Sequence, residues 1–502
     1  MSAQVTAVPT ETKALDPRRW WILALCGLGQ LMVVLDMTVV NIALPKAQAS
    51  LAFSNNDRQW IVTGYSLAFG GLLLLGGRLA DRFGRKRTFM IGMAGFAAAS
   101  AFGGVASSFA MLAAARVLQG ALGALLAPST LSLLTTTFSD PSERGKAFGI
   151  YGAIAGSGSA IGLLLGGALT QFASWRWCLY VNDVFAIAGL VGAAVLLGKS
   201  TISRNVHIDV PGTVLAVGGL AALVYGFSEA ATDGWGAALT IGLLVAAVVL
   251  LTSFAIVEQR VAHPLLPMAV VLDRQRGGSY LAIGLVGISM FGAFLFLTYY
   301  LQESLRFSPI VTGVAFLPMV AAMMFSSIMT TTRLLPLIGP RIIVSVGSLL
   351  GAAGMLWLTQ LGVNSSYGLH VVPAIVALGL GLGAVFGAAM NLATAGTSRE
   401  DAGVASAMVT TGQQVGGSIG TALLNTIATS AGASYIAAHA ATIRATPAAR
   451  QLIEARAAVH SYSEAFWVAA GVLVATAIVC GLVFKPGRPA VAQTDEPALV
   501  GV

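Results

Sequence analysis

Two charged residues stand where only lipid-compatible side chains are expected. Asp36 falls inside the apolar run 20–45 and Arg116 inside the run 111–128. A charge at the centre of a bilayer costs ~2.5–3.5 kcal/mol even on a lenient insertion scale, so an ionisable group kept there is a candidate for function. A carboxylate opposite a guanidinium can take up and release a proton. Desolvation favours the neutral acid, and a cation within ~4–6 Å favours the anion. A purely structural ion pair is the alternative for the same residues. Depth permits the pairing: at 1.5 Å per residue, Asp36 lies ~12 Å from the end of its span near Leu44 and Arg116 ~8 Å from its own near Met111. Asp36 is read as the lone deep acid, since the runs 60–77 and 310–332 contain none.

Membrane helices must hold such residues, and the composition permits little else. Of 502 residues, 56% are hydrophobic, 10% are charged and 59 are Gly, with a mean hydropathy of +0.83. A soluble domain carries ~25% charged residues, which excludes a soluble enzyme. Unbroken apolar runs such as 69–77 and 241–254 also exclude a barrel, whose strands of ~10 residues alternate apolar and polar. The expected class is an all-α polytopic membrane protein.

With about 20 residues per crossing, apolar runs and breakers predict fourteen spans, near 21–44, 60–77, 88–109, 111–136, 147–169, 178–197, 210–228, 236–257, 278–301, 310–332, 342–361, 369–394, 404–430 and 463–484. An even number puts both termini on one face. That face receives 20 of the 28 Lys and Arg, the other receives seven (among them Arg58), and Arg116 lies within a span. The positive-inside rule then makes both termini cytoplasmic in a cell membrane. The net charge of +8 is thus a matter of topology, and no nucleic-acid partner is called for. Trp20, Trp21, Trp60, Trp175, Trp177, Trp235 and Trp467 fall near span ends, where an aromatic belt belongs. No cleavable signal precedes the first span, which is expected to remain. Cys26, Cys178 and Cys480 lie in apolar segments and suggest no disulfide framework. The five His are scattered, without metal-ligand spacing.

A weak repeat organises the chain. Gly145, Gly158, Ile161 and Gly162 recur 258 residues later as Gly403, Gly416, Ile419 and Gly420, and Gly84 recurs 255 later as Gly339. Parallel halves of this kind are a pattern of secondary transporters. The expected units are a tail (1–20), a six-helix bundle (21–200), an inserted helix pair (201–260), a linker (261–277), a second six-helix bundle (278–485) with an outer segment (431–462), and a tail (486–502).

Between the second and third spans, Gly77, Asp81, Arg82, Gly84, Arg85, Lys86 and Arg87 form a charged, glycine-punctuated turn. The basic residues hold it on the cytoplasmic side, Gly84 permits the tight reversal, and Asp81 can face a helix N-terminus. An ordinary positively charged loop is the plainer account. The spacing resembles the signature loop of the major facilitator superfamily. With fourteen spans, the chain is similar to that family's drug/proton antiporter branch, the EmrB/QacA-like multidrug exporters. The stretch 35–45 resembles their first-helix motif, and Arg116 to Gly120 resembles their fourth-helix motif. Gly149, Gly158, Gly162, Gly166 and Gly167 resemble the fifth-helix antiporter motif, although the family's proline is here Leu163. Glycines alone allow close helix approach, so simple packing is an equal alternative.

The resemblance implies two six-helix bundles plus an inserted pair, with the first and fourth helices lining a central cavity and bringing Asp36 to Arg116. It also implies that Asp81 faces the start of span thirteen, near 399–403, as a gate. No phosphate loop is found: Gly198-Lys199-Ser200 lacks the first glycine, because position 193 is Ala. The energy source is therefore an ion gradient, with no cofactor. Met290, Phe291, Phe294, Phe386 and Met390 are candidates for an adaptable apolar substrate surface. Gln413 and Gln414, at mid-depth of span thirteen, bind substrate or join helices.

The expected activity is proton-coupled efflux of lipophilic drugs or antibiotics, neutral or monocationic, by a monomer in the bilayer. Two alternatives stay open: a facilitator or symporter for a small metabolite, and a lipid-handling or receptor-like protein without ion coupling. Spans seven and eight, opened by His207, Asp209 and Gly212, are expected to be a structural spacer. The segment 431–462, with Arg450, Glu454 and Arg456 at helical spacing, is expected to be a short surface helix or unordered.

Overall fold

Backbone that crosses lipid must satisfy its N–H and C=O groups within the segment, which makes helix the obligatory state. A computed structural model of the chain describes residues 17–55, 57–138, 141–198, 209–261, 264–266, 268–394, 402–439 and 447–486. The described residues contain fourteen long helical segments, and each expected span coincides with one of them, overrunning its ends by up to five residues. The first six are α1 (Arg19–Leu51), α2 (Arg58–Phe83), α3 (Arg85–Gly104), α4 (Phe109–Thr137), α5 (Pro141–Phe172) and α6 (Trp177–Leu196). Then come α7 (Val210–Thr232) and α8 (Ala238–Glu258). The last six are α9 (Arg274–Ser304), α10 (Pro309–Ile338), α11 (Pro340–Leu358), α12 (Tyr367–Ala393), α13 (Ala402–Ala438) and α14 (Pro447–Val483).

Eleven of these helices are long and apolar enough to cross a membrane. Among the described residues α3, which opens on Arg85, Lys86 and Arg87, and α13, rich in Gly, Ser and Thr, fall short of that, and α5 contributes the shorter apolar stretch Ala160–Phe172. Side-chain caps mark several starts: Ser108 accepts from the Met111 N–H, Ser308 from Val311, Asp209 from Gly212, and Asp273 from Gln275 and Arg276. Each cap satisfies an N–H that has no partner within the helix.

Helices α1–α6 form one half and α9–α14 the other. In the first, α1 packs on α5 and α6, α2 on α4, and α3 on α4 and α6. In the second, α9 packs on α12, α13 and α14, α10 on α12, and α11 on α12 and α14. The repeated glycines occupy equivalent contacts. A Cβ on Gly162 of α5 would run into Thr38 of α1, and one on its repeat partner Gly420 of α13 would meet the Ile288 backbone of α9 at 2.5 Å. Gly84 and Gly339 share a positive φ, 90° and 78°, at the turns after α2 and α10.

Helices α7 and α8 pair with each other, and α7 also leans on both halves. Gln59 of α2 donates to Ser228 Oγ at 2.7 Å, and Thr426 of α13 donates to the Phe227 carbonyl at 2.7 Å. The segment 431–462 is largely taken up by extensions of α13 and α14, with Arg450 and Glu454 paired at 2.8 Å. Positions 440–446 lie outside the described residues, as does His207.

The face at which α1 begins and α14 ends is here the terminal face, and the opposite one the distal face. One apolar core joins both halves on the distal side, from Leu35, Val39 and Ile42 to Phe296, Tyr299 and Phe316, and continues within the second half to Leu335, Leu392 and Phe484 near the terminal face. Toward that face the first half has its own cluster around Phe89, Met93 and Phe96, touched by Ala407 of α13, and a small cluster forms around Tyr280 and Ile283. The halves are therefore joined most extensively at the distal face.

Candidate functional site

Asp36 and Arg116 meet. The Nη1 of Arg116 donates to Oδ2 of Asp36 at 2.6 Å, with the side chains 2% and 0% exposed. Three further groups complete the cluster. Gln119 donates to Oδ1 of Asp36 at 3.1 Å and to Ser100 Oγ at 2.6 Å, and Asn182 donates to the same Asp36 oxygen at 2.8 Å. The guanidinium also donates from Nε to the Ile61 carbonyl of α2 at 3.0 Å and lies 4.3 Å above the Tyr65 ring. Buried charges are tolerable only when paired and hydrogen-bonded in this manner.

The cluster draws on α1, α2, α3, α4 and α6, so the carboxylate points into the first half. Asn182 and, through Gln119, Ser100 enclose it from α6 and α3, which pack within the first half. On the distal side it adjoins an apolar cavity of ≈ 10 Å³ lined by Val40, Ile61, Leu112, Trp175 and Leu179 among others.

Sequence reasoning missed four of these residues. Gln119 stands one turn from Arg116 within the quoted fourth-helix motif, and Asn182 is a polar amide within an apolar span; both signals were readable. Ser100 and Tyr65 carried none. Asp183, adjacent to Asn182 within α6 and partly buried, also corrects the reading of Asp36 as the lone deep acid. It sits on a helix that packs on α1, α3 and α5 and has no described packing on the second half.

The glycines of α5 divide by partner. Gly158, Gly162 and Gly166 face Val34, Thr38 and Val39 of α1, whereas Gly167 faces Pro309 and Ile310 of α10 across the seam. Leu163 is buried, and α5 continues through it without a break. Gly149 lies in α5, its surroundings outside the described residues.

In the signature loop, Arg78 donates to the Pro264 carbonyl of the linker at 2.7 Å. Lys86 donates to the Ala194 and Leu197 carbonyls at the end of α6, where a helix C-terminus attracts a cation. Arg82 lies over the Phe83 ring, and Gly84 makes the turn. Arg85 is partly buried and Arg87 exposed. Gly77 makes only ordinary contact with Pro128, while Gly76 abuts the Ala124 carbonyl of α4. The Asp81 side chain and positions 395–401 lie outside the described residues.

Of the expected substrate surface, Met290, Phe291, Phe294 and Phe386 are partly buried against the distal core, and Phe294 stacks on Phe316 at 5.1 Å. Met390 is 49% exposed. Gln414 is buried at the seam, where its Cβ abuts Gly70 of α2 and its amide meets Met37 sulfur of α1 at 3.8 Å. The Gln413 backbone packs on Gly287 of α9.

Two helical halves, one of them holding a buried acid–base pair, with an inserted helix pair at their seam, define a polytopic membrane transporter. The chain belongs to the Major Facilitator Superfamily, whose family description matches residues 26–421. It is not an enzyme. It is 48% identical to the puromycin resistance protein pur8 of Streptomyces alboniger, over 99% of this chain and 98% of that one. It is 36% identical to the tetracenomycin C resistance and export protein of Streptomyces glaucescens, over 83% of this chain and 77% of that one. It is 35% identical to the cephamycin export protein CmcT of Amycolatopsis lactamdurans, over 96% and 94%. Among solved structures, the fold is similar to an inward-facing bacterial homologue of the human lysosomal transporter Spinster, with a TM-score of 0.65 and 16% identity over 95% of this chain and all of that one.

Proposed function

We propose that the chain exports lipophilic, antibiotic-like compounds from the cell in exchange for protons, by alternating access between its halves. Efflux of such compounds accords with resistance and export relatives that align over most of the chain. The observation that carries the proton coupling is the fully buried Asp36–Arg116 pair. A buried ion pair is a poor source of stability, because desolvation can exceed the Coulombic gain. Its use lies in the two states it allows: an anion held by Arg116, Gln119 and Asn182, and a neutral acid once Arg116 withdraws.

The charge asymmetry of the loops supports cytoplasmic termini, which makes the terminal face inner and the distal face outer. The described conformation is then closed to the outside. In the outward-open state, as the family resemblance implies, Asp81 closes the cytoplasmic side against the start of span thirteen. The antiporter works as a monomer on neutral or monocationic substrates that pass along Met290, Phe291, Phe294, Phe386 and Met390, with Gln413 and Gln414 joining helices beside them.

The test is flux in proteoliposomes with an imposed pH gradient, using a panel that includes puromycin, with substrate and proton movement recorded together. Proton counterflow should accompany export. Asp36→Asn should abolish gradient-driven export in protein that elutes normally on size exclusion. Proton-coupled export retained by Asp36→Asn would overturn the assignment.

A further inference from the structure

Arg58, the first residue of α2, reads in the sequence as an outer-face charge. The structure buries it to 4% exposure at the seam between the halves. Among the described residues it forms no ion pair. Its Nε donates to Oδ1 of Asn425 on α13 at 3.1 Å, and its guanidinium lies 4.3 Å from the Tyr299 ring and 5.6 Å from the Phe296 ring, both on α9. Neighbouring bonds reinforce this clasp. Tyr299 donates to Gln48 of α1 at 2.5 Å, Gln302 of α9 donates to the Ile42 carbonyl at 3.1 Å, and Asn425 donates to the Asn55 carbonyl at 3.4 Å.

Ile61 lies three residues along α2 from Arg58, within the same first turn. Its carbonyl accepts the Nε of Arg116 at 3.0 Å, while Nη1 of that guanidinium holds Asp36 at 2.6 Å. A guanidinium is planar, with its donors in a rigid fork, and the Tyr65 ring beneath it restrains its plane. A change in the hold on Asp36 therefore cannot leave the hold on Ile61 unaltered.

We propose that the Arg116–Ile61 bond transmits the charge state of Asp36 to the first turn of α2, where Arg58 clasps the second half and keeps the outer gate shut. This rests on the proton-antiport reading and adds the physical link between the acid and the gate. Arg58 is a positioning residue, tied to the coupling site through the helix turn it begins.

Spin labels at Ser50 on α1 and Ser434 on α13, both exposed, report the outer separation of the halves by pulsed electron resonance in nanodiscs. Arg58→Gln should add a population at longer distance, and Arg58→Lys, which keeps a cation over the rings, should largely restore the closed one. Asp36→Asn should change the ratio of the two populations at least threefold. Arg116→Lys keeps the positive charge but replaces the rigid fork, which holds Ile61 and Asp36 from two nitrogens, by one freely rotating ammonium, so in that background the Asp36→Asn change should vanish. The Asp36→Asn/Arg58→Gln double variant should be non-additive, which tests the link without altering Arg116. An unaltered distribution in Arg58→Gln overturns the clasp. A silent Asp36→Asn, its full effect persisting in Arg116→Lys, or strict additivity in the double variant overturns the link. Proton counterflow measured on the same Asp36→Asn protein judges the antiport reading separately.

Discussion

Gln119 serves both members of the buried ion pair, donating from Nε2 to Asp36 at 3.1 Å and accepting from Nη1 of Arg116 on Oε1 at 2.9 Å. Hydrogen bonds to charged groups contribute ~1.5–3 kcal/mol each. Gln119→Leu, which removes both while leaving the charges in place, should lower the melting temperature in detergent by several degrees and reduce gradient-driven export about tenfold or more. Wild-type melting and flux would mean that the amide is dispensable.

A Cβ on Gly167 would come within 2.5 Å of Ile310 Cα and 2.7 Å of the Pro309 carbonyl oxygen, so backbone rather than a pliable side chain opposes it. Overpacking of this kind costs ~1–3 kcal/mol. Gly167→Ala should slow disulfide formation between cysteines placed at Gln171 and Ile310 severalfold. Gly198→Ala, with nothing within 4 Å of the added carbon, should leave that rate unchanged. Equal rates in all three proteins would exclude a tight seam at Gly167.

For the inner gate, a carboxylate at a helix N-terminus contributes ~0.3–2 kcal/mol, enough to shift a two-state balance severalfold. Asp81→Ala should raise labelling of a cysteine at Met390 by an impermeant reagent from the cytoplasmic side. Unaltered labelling would remove Asp81 from the gate.

Substrate charge follows from the acids that can reach the cavity. Asp183 adds a carboxyl within the membrane, but on a helix remote from the second half, so the count of acids near the seam does not rise. Exchange of one proton for one monovalent cation is electroneutral and driven by the pH difference alone, at ~1.4 kcal/mol per unit. A neutral substrate adds the membrane potential, ~2.3 kcal/mol per 100 mV. Neutral and monocationic compounds should therefore be exported in preference to dications. Asp36-dependent export of a bis-quaternary compound above that of its monocationic analogue would contradict this.

The fourteen helices were legible because hydropathy along a span is a local property, and Asp36 and Arg116 because a charge at lipid depth is conspicuous wherever it points. The direction of Asp36 was not legible. Which neighbours surround a helix depends on packing between segments distant in sequence, and Ser100 and Asn182 lie 64 and 146 residues from Asp36. Arg58 eluded the sequence for a related reason. At the end of a span it reads as an interfacial charge, and only the approach of Tyr299 and Asn425 from the other half buries it. Gln119 and Asn182 were within reach, since the criterion applied to Gln413 and Gln414 applies equally to them.

Helix α7 is bonded to α2 through Gln59 and Ser228 and to α13 through Phe227 and Thr426, the two helices that border one side of the seam. A strut pinned to both leaves of a door behaves as its hinge. Those pins sit beside the Arg58–Asn425 clasp, so the α2–α13 edge parts only when the clasp lets go and then least, and displacement grows with the lever arm toward the opposite edge, where Gly167 meets Ile310. Parting at the distal face should then be asymmetric, narrow beside α7 and wide between α5 and α10, so that a bulky solute leaves along the free edge.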